Sequence, residues 1–205
     1  MDVGIIINPV AGRHHPRAAY SRTELAKKVL GVEGLDGEVR LTDGRGSAYA
    51  IAAEMIDSGA RTVVAWGGDG TINEVANATV DTGTTLGVVP GGSGNGFARG
   101  LRLENQPELA LKTALTGPTR FIDAGEIDNR LFVNVAGVGF DAHLAGVFNH
   151  LRVRGGWSYL LSGMRELFTY RASSYTVCSE GQEFTMDAFL VTIANGPEYG
   201  LGAII

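Results

Sequence analysis

The string Gly67-Gly68-Asp69-Gly70-Thr71 constrains this chain more than any other. It stands between an apolar run, Thr62-Val63-Val64-Ala65-Trp66, and a helix-like run from Thr71 to Val80. Strand, glycine-rich turn, helix is an order that directs backbone N–H groups and a helix N-terminus at a phosphate. Asp69 is the unusual member. A carboxylate in a phosphate-binding turn repels phosphate unless it works with a metal ion or takes a proton from a nucleophile. The string therefore points past nucleotide storage towards phosphoryl transfer.

The rest of the first half repeats the pattern. Gly4 to Ile7 reads as a strand ending in Asn8-Pro9-Val10-Ala11-Gly12-Arg13, and Arg17 to Leu30 as a helix. Glu38 to Leu41 alternates as a strand does. Ser47 to Ser58 carries Ala48, Ile51, Ala52, Met55 and Ile56 at helical spacing, with Gly59 placed to close it. Strand Leu86–Val89 leads into Pro90-Gly91-Gly92-Ser93-Gly94-Asn95-Gly96, and a helix from Pro107 to Leu115 follows. Strands alternating with helices predict an α/β layer around a parallel sheet. From about Thr119 the pattern changes. Arg120–Asp123 and Leu131–Val138 read as consecutive strands, then come helix-like stretches at Ala142–Arg152 and Trp157–Tyr170, then strands Tyr175–Cys178 and Ala188–Ala194. The expected organisation is an α/β nucleotide-binding domain over residues 1–122 and a β-rich unit, an incomplete β-sandwich, over 123–205.

Composition narrows the partners. Apolar residues make up 44% of the 205, enough for a real core, and the net charge of −5 argues against nucleic acid. The one cysteine, Cys178, excludes an internal disulfide and fits a reducing, cytoplasmic setting. No run approaches the ~18 apolar residues of a membrane span, and Met1-Asp2-Val3-Gly4 does not read as a signal peptide. The lysines, Lys27, Lys28 and Lys112, lie far from the glycine-rich turns. Phosphates must then be held by backbone N–H, hydroxyls and arginine.

The candidate nucleotide-binding residues follow from these turns. In the central string they are Gly67, Gly68, Asp69, Gly70, Thr71 and Ile72. Asn73 either faces the nucleotide or caps locally, and Glu74 either joins the site or complements the helix dipole. In the second loop they are Gly92, Ser93 with its hydroxyl, Gly94, and Asn95, which can bond across the loop. In the first loop Asn8 ends the strand, Gly12 lets backbone approach a ligand, and Arg13 offers phosphate contacts. Thr42, at the end of the second strand, suits an adenine or ribose contact. Arg99 is either a surface residue or a phosphate contact. His14, His15, His143 and His150 have no partners at metal-ligand spacing, and Asp141 either caps a helix or approaches the cleft. Asp69 is the candidate catalytic residue. No metal ligand is assigned.

Four stretches together resemble the lipid-kinase superfamily built on the diacylglycerol kinase catalytic domain. They are Asn8-Pro9-Val10-Ala11-Gly12, the string from Gly67 to Val75, Gly92-Ser93-Gly94-Asn95-Gly96-Phe97-Ala98-Arg99, and the run from Phe132 to Ala142. The run from Ala194 to Gly202 resembles a fifth. The resemblance implies a two-domain kinase that binds ATP and Mg²⁺ and phosphorylates a lipid hydroxyl at a membrane surface, attached peripherally at the inner face. Thr42, Gly67 to Asn73 and Ser93 match the family's ATP-contacting positions. Ser93 and Gly96 depart from the Thr and Asp that many members carry. A hydroxyl survives at Ser93, but Gly96 removes a carboxylate.

The resemblance further implies a C-terminally truncated chain. The family's later acidic segment, which helps bind Mg²⁺ and supplies a proposed catalytic carboxylate, has no counterpart here. On that reading the 205-residue chain binds nucleotide without turning over lipid. The rivals are an NAD kinase or phosphofructokinase-like enzyme, which shares a Gly-Gly-Asp-Gly turn, and a non-catalytic nucleotide-binding fragment. A homodimer is left open.

Overall fold

Val3–Ile7 is apolar or glycine at every position, and all five residues are buried in the strand they form, β1. A strand with no polar alternation suits a parallel sheet covered on both faces. The same logic gives β3 (Thr62–Gly67) and β4 (Thr85–Pro90), while β2 (Gly37–Leu41) shows mixed exposure; β2 and β4 are the two edges. The computed structural model of the chain describes residues 1–12, 17–140, 170–179, 181–200 and 203–204. The expected helices at Ala142–Arg152 and Trp157–Tyr170, apart from Tyr170 itself, lie outside the described residues, as do Arg13, His14, His15, Asp141, His143 and His150.

The four strands form a parallel sheet in the order β2-β1-β3-β4. Their ends are level: Ile7 stands opposite Leu41 and Trp66, and Gly67 opposite Pro90. Side chains alternate between faces. Ile5, Ile7, Val64, Trp66 and Val89 pack with Ala26, Val29 and Leu30 of α1 (Ala18–Glu33) and with Ala110 and Leu111 of α5 (Pro107–Thr116). Ile6, Val63, Ala65 and Val88 pack on the other face with α2 (Ser47–Asp57) and α3 (Asp69–Thr79). The expected α/β layer is therefore present. From β1 the chain runs first to β2 on one side, then to β3 and β4 on the other. That reversal opens a crevice beyond the carboxyl ends of β1 and β3, where such sheets bind ligands.

Several local features differ from the sequence reading, among them the expected strand Leu131–Val138, which is split into strands at Arg130–Phe132 and Val135–Gly139, and an additional strand at Gln182–Ala188. α3 begins at Asp69, two residues early, so Asp69 and Gly70 form its first turn rather than a loop before it. A short helix, α4 (Gly96–Gly100), follows the second glycine loop, entered through Asn95 in the left-handed region at φ 51°. The expected strand Arg120–Asp123 is absent. Instead β5 (Gly125–Ile127) and β6 (Arg130–Phe132) make an antiparallel hairpin around Asp128-Asn129, both at positive φ. Asx residues tolerate that conformation, and a two-residue turn with both φ positive matches strand twist.

The chain divides into two compact units. Residues 1–134 with 194–205 make one, and 135–193 the other. In the first, β11 (Glu198–Gly200) pairs with β12 (Ala203–Ile204) and lies against α4. Asn195 clasps this segment to the hairpin: its Nδ2 donates to the Asp123 and Val133 carbonyls, and its amide to the Asn134 carbonyl. The second unit is β-rich. β7 (Val135–Gly139) shares a two-stranded sheet with β10 (Leu190–Ala194), and β8 (Ser173–Ser179) pairs antiparallel with β9 (Gln182–Ala188). Phe140, Tyr170 and Phe189 gather there with ring centroids 5.3–5.7 Å apart. Among the described residues no helix is long and apolar enough to cross a membrane.

Candidate active site

Because the strands end level, the loops after β1, β3 and β4 meet. The Asn8 amide donates to the Trp66 carbonyl (2.9 Å), and the Gly91 amide to the Gly67 carbonyl (2.8 Å). Asn8 bridges the crevice: its Nδ2 donates to Thr71 Oγ1 at 2.9 Å, while its Oδ1 accepts the Val10 amide. The loops touch at their glycines. Gly12 has φ +77°, and a β-carbon there would stand 2.6 Å from the Gly91 carbonyl oxygen. A β-carbon at Gly92 would stand 2.6 Å from Gly68 Cα.

Asp69 occupies the first position of α3 and is half-buried. Its Oδ1 accepts the Phe97 amide at 3.0 Å, at the start of α4, and its Oδ2 lies against Gly94. The carboxylate thus ties the central string to the second loop. That loop is closed by Asn95, whose side chain accepts the Gly92 amide (2.8 Å) and donates to the Gly92 carbonyl (2.9 Å). Ser93 is exposed between them. The first amides of α3 have no intrahelical partner by geometry, and no side chain caps them. The first intrahelical bond runs from the Ile72 amide to the Gly68 carbonyl. Asn8, Gly12, the residues from Gly67 to Thr71, and Gly92 to Asn95 therefore meet at the carboxyl edge of the sheet, with the Asn8 and Gly92 amides bonded internally and the first amides of α3 turned outward from the helix. Thr42 stands one strand away, buried, its amide donating to the Ile7 carbonyl.

Three other candidates in the signature string face elsewhere. Ile72 is wholly buried in the core under α3. Asn73 accepts the Val133 amide and donates to the Leu131 carbonyl, each at 3.3 Å, so its amide holds β6 against α3. Glu74 accepts the Gly46 amide at 2.9 Å and the Ala48 amide at 3.1 Å. It caps the N-terminus of α2 rather than complementing its own helix, a placement favoured by the α2 dipole. Glu74→Ala is expected to lower stability by about 1.5 kcal/mol, as charge-assisted bonds partly open to solvent do. Glu74→Gln, which keeps one acceptor, should cost about half of that. Urea midpoints at unchanged m-value measure both, and an unshifted midpoint in Glu74→Ala would deny the cap.

Sequence reasoning missed Arg22. From α1 it donates to the Asn8 carbonyl at 2.9 Å and the Ala11 carbonyl at 3.0 Å, and its guanidinium lies 5.8 Å from the Trp66 ring centroid. No short motif joins it to the first loop; only the packing of α1 on β1 brings it there. Arg99, left open between surface and phosphate, pairs with Glu198 at 3.0 Å. Beside α4 lies a cleft of about 270 Å³, lined by Phe97, Leu101, Ile122, Val133, Asn134 and Pro197 among others.

Among the described residues no three acidic, histidine or cysteine side chains converge as a metal site. One carboxylate, Asp69, stands among the backbone donors. That is a fit for Mg²⁺ brought in on a nucleotide, since the ion keeps several waters and needs only one or two protein carboxylates beside the phosphates.

This arrangement has relatives of known lineage. Residues 2–127 match the family described as the diacylglycerol kinase catalytic domain. The chain belongs to that family. Residues 134–205 match the YegS C-terminal NAD kinase beta sandwich-like domain. Among relatives of this diacylglycerol kinase-type chain, a protein of Cronobacter sakazakii described as "Probable lipid kinase YegS-like" is 36% identical over 182 residues, covering 85% of the chain and 61% of the relative. One of Chromohalobacter salexigens with the same description is 34% identical, covering 80% and 55%. The chain thus spans about three-fifths of the length of such relatives. A crystal structure described as a diacylglycerol kinase from Bacillus anthracis superposes with a TM-score of 0.73 at 25% identity, covering all of this chain and 67% of that one.

Proposed function

We propose that this chain provides the nucleotide-binding part of an ATP-dependent lipid kinase, which transfers the γ-phosphoryl group of ATP to a lipid hydroxyl. The observation that carries the reading is the meeting of two glycine-rich loops with the Gly12 loop at the sheet's carboxyl edge, with Asp69 tied across the first two. Such a cradle suits an anion held by backbone N–H groups, and the family to which the chain belongs supports a phosphoryl donor as that anion. Mg²⁺, bound with ATP, would neutralise the phosphate charge.

The chain's own residues have separable roles in this reading. The glycine loops hold the phosphates close to backbone because no side chain intervenes. Asn8 and Thr71 keep β1 and α3 in register across the crevice. Asp69 lies where a carboxylate can orient the donor's bound ion or receive the acceptor's proton. Its bond to the Phe97 amide fixes one oxygen and leaves the other beside Gly94. A lipid hydroxyl is a weak nucleophile at neutral pH, so positioning and charge stabilisation supply most of the rate. The cleft beside α4, apolar at Phe97, Leu101 and Ile122, offers an approach for such an acceptor. Its site of action would be the membrane surface.

The test is turnover of γ-labelled ATP by the whole gene product with mixed lipids, with NAD and sugar phosphates as competing acceptors. Label in the lipid fraction, identified by mass spectrometry, is the expected result. Label in NADP or a sugar bisphosphate would replace the reading with a small-molecule kinase, and no transfer at all would leave a binding module.

A further inference from the structure

The first loop is held in shape from below by one cation. Arg22 donates to the carbonyls of Asn8 and Ala11 and stacks over Trp66, whose indole in turn supports Gly91: a β-carbon there would stand 3.1 Å from Trp66 Cδ1. One side chain thus underlies two of the three loops. Among the described residues no carboxylate pairs with it. Burial without a counter-charge pulls the Arg22 pKa down from its ordinary value. An apolar side chain could support Trp66 but could not draw in the two loop carbonyls, so the cost of partly desolvating the cation is tied to its hold on the loop.

The peptide geometry shows what the cation orients. A trans peptide holds its C=O and N–H in one plane, pointing in opposite directions. With the Ala11 carbonyl drawn to Arg22, the Gly12 N–H is turned the opposite way. The Asn8 carbonyl precedes Pro9, which has no N–H to turn. The effect therefore falls on a single donor, Gly12, at the point where the first loop meets Gly91.

We propose that Arg22 is a positioning residue of the nucleotide site: it aims the Gly12 N–H at the donor's phosphates and places an unpaired positive charge behind that amide. This rests on the nucleotide reading above and adds a residue to it. Arg22 touches no phosphate itself. It acts through the loop, and the ligand class it serves is a polyphosphate rather than a nucleoside.

The experiment compares wild type, Arg22→Lys and Arg22→Met for binding of Mg-ATP, inorganic tripolyphosphate and adenosine, with urea midpoints alongside. Arg22→Met should lose about 10- to 100-fold in affinity for ATP and tripolyphosphate, the scale of one hydrogen bond to a charged group. Its affinity for adenosine should stay within about twofold on the same scale. Arg22→Lys keeps the charge but not the two-pronged donation, and should recover part of the phosphate affinity. The Gly12 amide resonance of the wild type should shift on adding tripolyphosphate and stay still in Arg22→Met. Equal losses for ATP and adenosine, tracking the fall in urea midpoint, would make Arg22 a structural residue only and overturn the proposal. So would phosphate affinity unchanged in Arg22→Met. Wild type that binds neither ATP nor tripolyphosphate would overturn the nucleotide reading, and this inference with it.

Discussion

Asp69→Asn should cut phosphoryl transfer by about 10²–10⁴-fold, the range for loss of a general base or an equivalent charge, while the protein stays folded. The separation of the two effects comes from the geometry. Asp69 Oδ1 accepts the Phe97 amide at 3.0 Å, and an asparagine carbonyl oxygen still accepts that bond, as a weaker neutral one. The link between α3 and α4 is thus kept, and only the negative charge is lost. Turnover by the whole gene product gives the first quantity, and the urea midpoint gives the second. A variant with near-normal turnover would make Asp69 a residue that merely ties two loops together.

Gly92→Ala should be nearly as damaging, by a different route. Its β-carbon would stand 2.6 Å from Gly68 Cα and 3.0 Å from Asn95 Oδ1. Gly68 is backbone at the start of α3, and Asn95 is held by two bonds to Gly92 itself. Neither can yield without opening the cradle. Overpacking of this kind typically costs about 1–3 kcal/mol of stability, and parted loops should weaken Mg-ATP binding more than about tenfold, or roughly 1.4 kcal/mol. Gly70→Ala is the contrast. Nothing lies within 4 Å of its added β-carbon, and alanine suits a helical turn better than glycine by about 1 kcal/mol. Its stability should hold or rise. If Gly92→Ala and Gly70→Ala have the same urea midpoint and the same nucleotide affinity, the loops are not in the contact described.

Much of this was legible in the sequence because β1, β3 and β4 are almost wholly apolar and the turns after β3 and β4 are rich in glycine. Gly4–Ile7, Thr62–Trp66 and Leu86–Val89 read as strands from their apolar runs, each lying within the strand observed, and glycine loops after such strands point to the carboxyl edge. The failures have physical causes too. Asp69 and Gly70 read as a turn because glycine is a poor helix former, yet the packing of α3 under Ile72 and Val75 draws the helix back over both. The Asp128-Asn129 turn was missed because neither residue is glycine, though both adopt positive φ. Asn73 and Glu74 sit in the signature string, but a helix turns successive side chains by about 100°. They therefore leave the phosphate side, one for β6 and one for α2. Arg22 lay beyond reach of any local pattern, since its role exists only once α1 packs against β1 and Trp66.

The most direct measurement is hydrogen exchange of the chain with and without saturating Mg-ATP. The nucleotide site described here predicts slowed exchange at Gly12, at residues 67–71 and at residues 92–95, with residues 135–193 little changed. Protection confined to residues 135–193, or none at any glycine loop, would contradict it.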